Sequence, residues 1–332
     1  MKITLGGYYG FDNLGDEITL SLLISDIKKE YPEADISVIS KKNCSNAKTV
    51  SRSDLGQIKK TLAECDIFIL GGGSLIQDAT SLRSLFYYCE LIKLAHRLGC
   101  AVCILGGGIG PLSHREYARE ALSLCRYISV RDKASMEILN EMNIPCTLSA
   151  DRIFSVPSTE RSGCGRYFTV NLRECAGRKQ IRTEDFTDGI YPFVREGLTP
   201  VYVSMQDSYD LEICKKAMEK TGGRITTPCS LDELLRLQRG ARFAVGMRLH
   251  FLLAASLAHC PALSLSYDPK SSCIPTPSLD AFSFHGYELT DAVKKLEPTA
   301  IFEGSAELCR ADVAMLRQCI HHECENVREC LK

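Results

Sequence analysis

The sequence predicts an α/β protein made of two doubly wound domains facing across a cleft. Three observations carry that expectation. Short apolar runs alternate with amphipathic stretches, the pattern of a parallel sheet covered by helices. The alternation stops at a polar, Gly-bearing stretch, PSTERSGCGR at 157–166, and then restarts. A chain of 332 residues also has the length for two domains of about 150 residues each. The expected partition is 1–156, then 165–300, with 301–332 as a C-terminal helix.

The strands of the first half are read at KITLGG, DISVIS, DIFILGGG, AVCILGGG, YISVRD and CTLSAD. Each is short, rich in Ile, Val and Leu, and bounded by Gly, Asp or Ser. Helical periodicity fills 16–29, 84–98 and 115–125 between them. The second half repeats the scheme with YFTVNLRE, TPVYVSMQ, GRITTP, ARFAVGMRLH and CPALSLSYDP, separated by helical stretches at 210–220, 230–239 and 251–259. A long helical pattern over 305–331 closes the chain. In such sheets ligands bind beyond the C-terminal ends of the strands, where the strand order reverses.

Composition narrows the function. A net charge of −1 gives no global field for nucleic acid. No apolar run approaches the roughly 18 residues of a membrane span. The start, MKITLGGYYG, has neither a basic n-region nor an apolar h-region, so a cytoplasmic location is expected. The seventeen cysteines are odd in number and scattered, which fits reduced core residues. Cys100 and Cys103 lie three apart on a strand and face opposite sides, so they cannot share a metal. In the tail CIHHECENVREC, Cys319 and His322 would share a helical face. One helix does not converge four ligands, and no metal is expected.

Three glycine-rich turns follow strands in the first half: GGYYGFDNLGDE, GGGSLIQD and GGGIGPLSHRE. Glycine lets backbone approach a ligand, and a following helix offers free N–H groups. None ends in Gly-Lys-Ser/Thr, and none is a clean GxGxxG with an acidic residue about twenty positions on. That disfavours an ATPase or a dinucleotide enzyme. Asp12, Asp16 and Asp78 lie on or beside these turns. Such a carboxylate can accept sugar hydroxyls or take a proton from one; it can also simply complement a helix N-terminus.

In the second half, VGMRLHFLLAASLAHCPALSLSYDPK runs a strand into Arg248 and His250 at the start of an apolar helix, and the next strand ends at Lys270. Arg173 ends the strand YFTVNLRE. An Arg fork matches carboxylate or phosphate oxygens, the helix start adds a half-positive end, and His can hand over a proton. Together these residues describe a site for a small, multiply anionic ligand. The local alternative is that Arg248 pairs with a structural carboxylate and His250 packs or caps.

At these residues the sequence resembles the polysaccharide pyruvyl transferase family, its CsaB-type bacterial members above all. The resemblance runs nearly end to end through GYYGFDNLGDE, DIFILGGGSLIQDATSLRSLFYY, GGGIGPL, ISVRDKAS, SADRIF, VNLRE, GMRLH and SYDPK. It implies Rossmann-like domains in a GT-B-like architecture. It also implies transfer of pyruvate from phosphoenolpyruvate onto two hydroxyls of a sugar as a cyclic ketal, with release of phosphate and no cofactor. The implied acceptor is N-acetylmannosamine of a lipid-linked precursor of a secondary cell-wall polymer, whose ketal S-layer-type proteins can recognise. Such an acceptor implies transient contact with the inner membrane face. The basic stretches DIKKE, SKKNC and QIKK could assist, or be a solvated helical surface.

By motif, Arg248 and His250 would be catalytic and lie at the phosphoenolpyruvate, with Arg173 and Lys270 as looser matches. Asp12, Asp16, Gly72, Gly73 and Asp78 would hold the acceptor. Departures from the family pattern, Gly107 among them, bear on the acceptor rather than on the reaction. Two other functions fit the same fold. One is a glycosyltransferase using a nucleotide sugar, and the other a non-catalytic protein that binds a cell-wall precursor.

Overall fold

The computed structural model describes residues 1–44, 46–79, 81–163, 165–175, 181–267, 276–298 and 304–320. Lys270 and the tail residues His321, His322, Cys324 and Cys330 lie outside these. The chain divides into two compact units. The first comprises Met1–Phe11, Thr19–Ser155 and the described part of Glu303–Lys332; the second comprises Asp12–Ile18 and the described part of Val156–Phe302. The division is therefore not linear. The first turn of helix α1 (Leu14–Glu30) counts with the second unit, and the C-terminal segment counts with the first.

Among the described residues the first unit holds a seven-stranded parallel sheet. Its strands are β1 (Lys2–Gly6), β2 (Asp35–Ser40), β3 (Lys48–Ser51), β4 (Ile67–Gly71), β5 (Ala101–Gly107), β6 (Tyr127–Val130) and β7 (Thr147–Leu148), in the order β3-β2-β1-β4-β5-β6-β7. The order reverses between β1 and β4. The strands read as continuous apolar runs because both faces are covered. On one face Phe68, Leu70, Val102 and Ile104 pack with α2 (Leu55–Ala63), α3 (Leu82–Arg97), α4 (Arg115–Leu122) and α5 (Lys133–Glu141). On the other, Ile67, Ile69, Cys103 and Leu105 pack with Leu23 and Ile27 of α1 and Val313 of α11 (Ser305–Ala314). Cys100 belongs to the first of these cores and Cys103 to the second, so the two thiols do face opposite sides.

The C-terminal segment is tied to the first unit by a buried polar cluster. Arg152 donates from Nη1 to the Cys309 carbonyl at 2.6 Å and from Nη2 to Asp312 at 3.5 Å, while Ser149 and Tyr127 also donate to Asp312. The long helix expected over 305–331 is broken by a turn at Met315 and resumes over 316–320.

The second unit holds, among the described residues, a six-stranded parallel sheet in the order β10-β9-β8-β11-β12-β13. The strands are β8 (Tyr167–Asn171), β9 (Thr199–Val203), β10 (Arg224–Thr226), β11 (Ala244–Gly246), β12 (Ala262–Ser266) and β13 (Ser278–Asp280). The winding of the first sheet is thus repeated, and the order reverses between β8 and β11. Helices α6 (Thr183–Arg195), α7 (Asp207–Thr221) and α10 (Gly286–Lys294) cover one face through Phe186, Ile190, Ile213, Ala217 and Leu289. Helix α8 (Leu231–Gly240) packs with α9 (Leu249–Leu257), which is apolar all round and buried over 250–257, as expected of an interior helix. Beyond the elements read from the sequence, the structure has β3 and β13, short strands at sheet edges, and the helices α2, α5, α6 and α10.

Candidate functional site

In the second unit, chain leaves the sheet from β8 and β11, the two strands flanking the reversal. Asn171, the last residue of β8, organises the junction. Its Oδ1 accepts the Arg248 backbone N–H at 3.1 Å, and its Nδ2 donates to the Val203 carbonyl and to Asp210. Asp210, from α7, is fully buried. It accepts Arg248 Nε at 2.8 and 3.0 Å and Arg248 Nη2 at 2.6 Å, together with the backbone N–H groups of Met205 and Gln206. Gln206 Oε1 accepts from the same Nη2 at 3.3 Å. A buried guanidinium needs such a partner to offset its desolvation.

The carboxylate pairing that the sequence left open for Arg248 is therefore present, and it takes the Nε/Nη2 edge. Nη1 has no protein acceptor among the described residues. Arg248 is the N-cap residue of α9, so its backbone stands at the positive end of that helix. Asp210 was not foreseen. The signal was available: in α7 it lies three, four and seven residues before buried Ile213, Cys214 and Ala217, which puts a charge on the apolar stripe.

His250 lies in the first turn of α9 and is buried. Its ring fills the space that a side chain at Gly15 would take: a Cβ there would lie 2.3 Å from His250 Nδ1. The start of α1 is held in place by a Leu14 N–H bond to the Met205 carbonyl at 2.9 Å. Asn13 caps that helix, accepting the Gly15 N–H and donating to Asp16. The stretch DNLGDE is thus a capped helix start whose glycine seats the imidazole. Asp16, next to Gly15 in the chain, is buried, and exposed Asp12 adopts φ 59°. The expectation placed Asp12 and Asp16 with Gly72, Gly73 and Asp78. In the structure the turn of Asp12 and Asp16 counts with the second unit, where Leu14 bonds to Met205 and Gly15 abuts His250, whereas Gly72, Gly73 and Asp78 count with the first.

Arg173 follows β8. Its Nη1 donates to the Tyr267 hydroxyl at 2.8 Å, and its guanidinium lies 5.1 Å from the Tyr267 ring and 5.3 Å from the Tyr209 ring. Its Nε is buried with no partner among the described residues. Burial works against the Arg173 charge, but Tyr267, Cys175 and Asp210 outweigh it, and its pKa is raised. Tyr267, from the YDPK stretch, is a further participant that a search for cations alone misses.

In the first unit Gly72 and Gly73 follow β4, beside the other reversal, with φ of 68° and 66°. A Cβ at Gly72 would lie 2.0 Å from Thr19 Cγ2, so backbone conformation and space both require glycine. Arg131 supports this loop through Ser74 at 3.0 Å and pairs with Asp151 at 2.7 Å. Asp78 accepts the N–H groups of Ser113 and His114 and the His114 ring, each at 2.8 Å. Burial raises its pKa, but the bonds from His114 and Ser113 prevail and hold it below the ordinary carboxylate value. Its oxygens pin the loop that starts α4.

The chain belongs to the polysaccharide pyruvyl transferase family, whose model matches residues 13–269, and it is accordingly a transferase by family. No curated protein sequence matches it. Among solved structures it is similar to the UDP-GlcNAc 2-epimerase of Methanocaldococcus jannaschii, with a TM-score of 0.63 and 12% identity over 96% of this chain and 100% of that one. It is also similar to the UDP-GlcNAc 2-epimerase of Neisseria meningitidis bound to UDP-GlcNAc, with a TM-score of 0.60 and 8% identity over 97% and 100%. A ugt transferase from Siraitia grosvenorii in complex with UDP gives a TM-score of 0.53 and 9% identity over the whole of both chains. At these identities the likeness is one of fold, and that fold is Rossmann-like and of the GT-B class.

Proposed function

We propose that this protein transfers pyruvate from phosphoenolpyruvate onto two hydroxyls of one sugar, releasing phosphate. The observation that supports this most is the junction at the β8/β11 reversal. There Arg248 and the start of α9 with His250 follow β11, and Arg173, whose Nε has no partner among the described residues, follows the adjacent β8. A donor carrying both phosphate and carboxylate needs several cations.

His250 gives a proton to the methylene carbon of phosphoenolpyruvate, which becomes a methyl group and leaves an oxocarbenium-like C2. One sugar hydroxyl attacks C2 and returns its proton to His250. The C2–O bond to phosphate then breaks, and the second hydroxyl closes the ketal, its proton leaving with the phosphate. Arg248 and the first turn of α9 stabilise charge on the departing phosphate. Arg173 holds the carboxylate, and Lys270 joins the donor side by motif. Following the CsaB-type resemblance, the acceptor is N-acetylmannosamine of a lipid-linked cell-wall precursor, used at the inner membrane face. No helix among the described residues is long and apolar enough to cross a membrane.

The test is phosphate release from phosphoenolpyruvate with N-acetylmannosamine-containing acceptors. The expected result is acceptor-dependent release that falls about 100-fold or more in His250→Ala. Release unchanged in His250→Ala and Arg248→Ala, or turnover of a nucleotide sugar in its place, would overturn the proposal.

A further inference from the structure

Two thiols of the first unit meet at the sheet edge opposite its glycine turns. Cys65 and Cys100 shortly precede β4 and β5, parallel neighbours in which Ile67 stands opposite Ala101. The Ala101 N–H bonds to the Asp66 carbonyl at 3.0 Å and carries that register back to the two cysteines. Both residues belong to the same apolar core. Both also converge on Leu62 in the last turn of α2. Its carbonyl accepts the Cys65 backbone N–H at 3.1 Å and the Cys100 thiol at 3.0 Å. The Cys65 thiol donates to the Ile67 carbonyl at 2.8 Å, and Cys100 Sγ stands within hydrogen-bonding reach of it.

The surroundings of this pair differ from those of the other core thiols. Burial pushes Cys89, Cys214 and Cys309 up to about 12 and raises Cys125 and Cys146 as well, which holds them as unreactive thiols. At Cys65 the bond from the Cys100 thiol, with others from Thr4 and Ile67, outweighs burial and lowers the pKa. Cys65 keeps 9% of its surface open and Cys100 none, so a small oxidant meets Cys65 first. A thiolate-leaning sulfur with a second thiol at hand is the arrangement that converts an oxidised cysteine into a disulfide before it oxidises further.

We infer that Cys65 and Cys100 form a peroxide-reactive dithiol that closes reversibly into a disulfide joining the starts of β4 and β5. The Cys65 sulfur attacks one oxygen of hydrogen peroxide, the O–O bond breaks, and water leaves. Cys65 is thereby oxidised to a sulfenic acid and the peroxide is reduced. The Cys100 sulfur then attacks the Cys65 sulfur. The S–S bond forms, the S–O bond breaks, and the hydroxide leaves as water with the Cys100 proton. Two thiols and one peroxide give one disulfide and two waters. The link spans the segment that holds β4, Gly72, Gly73 and α3, and it lies at the edge away from that glycine turn.

Treating the reduced full chain with hydrogen peroxide, blocking the remaining thiols with N-ethylmaleimide and mapping the peptides by mass spectrometry tests this. The expected result is a Cys65–Cys100 cross-linked peptide that appears at least about tenfold faster than Cys89 or Cys214 is oxidised. Dithiothreitol should restore both thiols. Cys65→Ser should abolish the cross-link. Cys100→Ser should leave Cys65 as a sulfenic acid that dimedone captures. Should a buried hydroxyl there unfold the chain, Cys100→Ala serves in its place, and the wild-type mapping needs no variant.

Peroxide that leaves both thiols free to react with N-ethylmaleimide overturns the proposal. So does a cross-link from Cys65 to a different cysteine, or one that forms only after the chain is unfolded in urea. Passage of Cys65 to the sulfinic acid with Cys100 untouched overturns it too, because the neighbouring thiol then fails to resolve the first oxidation. None of these readouts depends on the transfer reaction, so the two proposals stand or fall separately.

Discussion

Gly15 shows how much one missing side chain can decide. A Cβ there would collide with the His250 ring at 2.3 Å, whereas a Cβ on Gly56 meets only Asp54 Oδ1 at 3.4 Å. Gly15→Ala is therefore expected to displace the imidazole and cut the rate of phosphate release sharply. Gly56→Ala, inside α2, should leave that rate unchanged and raise stability by about 1 kcal/mol. Rates and urea midpoints on the two variants check both statements. Asp210 sits at the same scale. Removing it strands the buried Arg248 guanidinium, so Asp210→Ala should cost about 3–5 kcal/mol in denaturant unfolding. The conservative Asp210→Asn keeps an acceptor and should recover part of it.

At the scale of the element, two carboxylates, half-buried Asp78 and buried Asp312, have opposite pH signatures. Asp78 anchors the start of α4, and its folded pKa lies below the unfolded value of about 3.9. Its contribution to stability is present above that value and is lost as pH falls through the folded pKa. Asp78→Asn should flatten this part of the acid limb of a stability–pH curve. Asp312 on α11 is pushed the other way: burial raises its pKa in spite of the bonds from Ser149, Arg152 and Tyr127. Its contribution declines as pH rises from about 3.9 through the raised value, so Asp312→Asn should remove a loss of stability on the rising side. Urea unfolding across pH 3–7 separates the two.

At the scale of the whole molecule, one winding scheme is used twice. Each sheet reverses its strand order beside its first strand, and the glycine turns or cations flank those reversals. A topology that brings the ends of β8 and β11 side by side explains why Arg173 and Arg248, 75 positions apart in the chain, both stand near Asp210. It also makes Asn171 the link between them, so Asn171→Ala is expected to lower phosphate release through a mispositioned Arg248. A raised KM for phosphoenolpyruvate would be the mark of that mechanism.

The sequence by itself determined the α/β class, eleven of the thirteen strands among the described residues and the place of Arg173 and Arg248 just beyond strand ends, because apolar runs, helical periodicity and Gly turns are local signals. It also held Cys100 and Cys103 to opposite faces, since strand pleating has a period of two. Partners distant in sequence were decided only by the tertiary structure. Asp210 reaches Arg248 across 38 residues, and His250 is seated against Gly15. The first turn of α1 joins the second unit, and Cys65 meets Cys100 beside the Leu62 carbonyl. The physical reason is that charge pairing and close packing depend on which strand ends a crossover makes neighbours, and no local pattern encodes that.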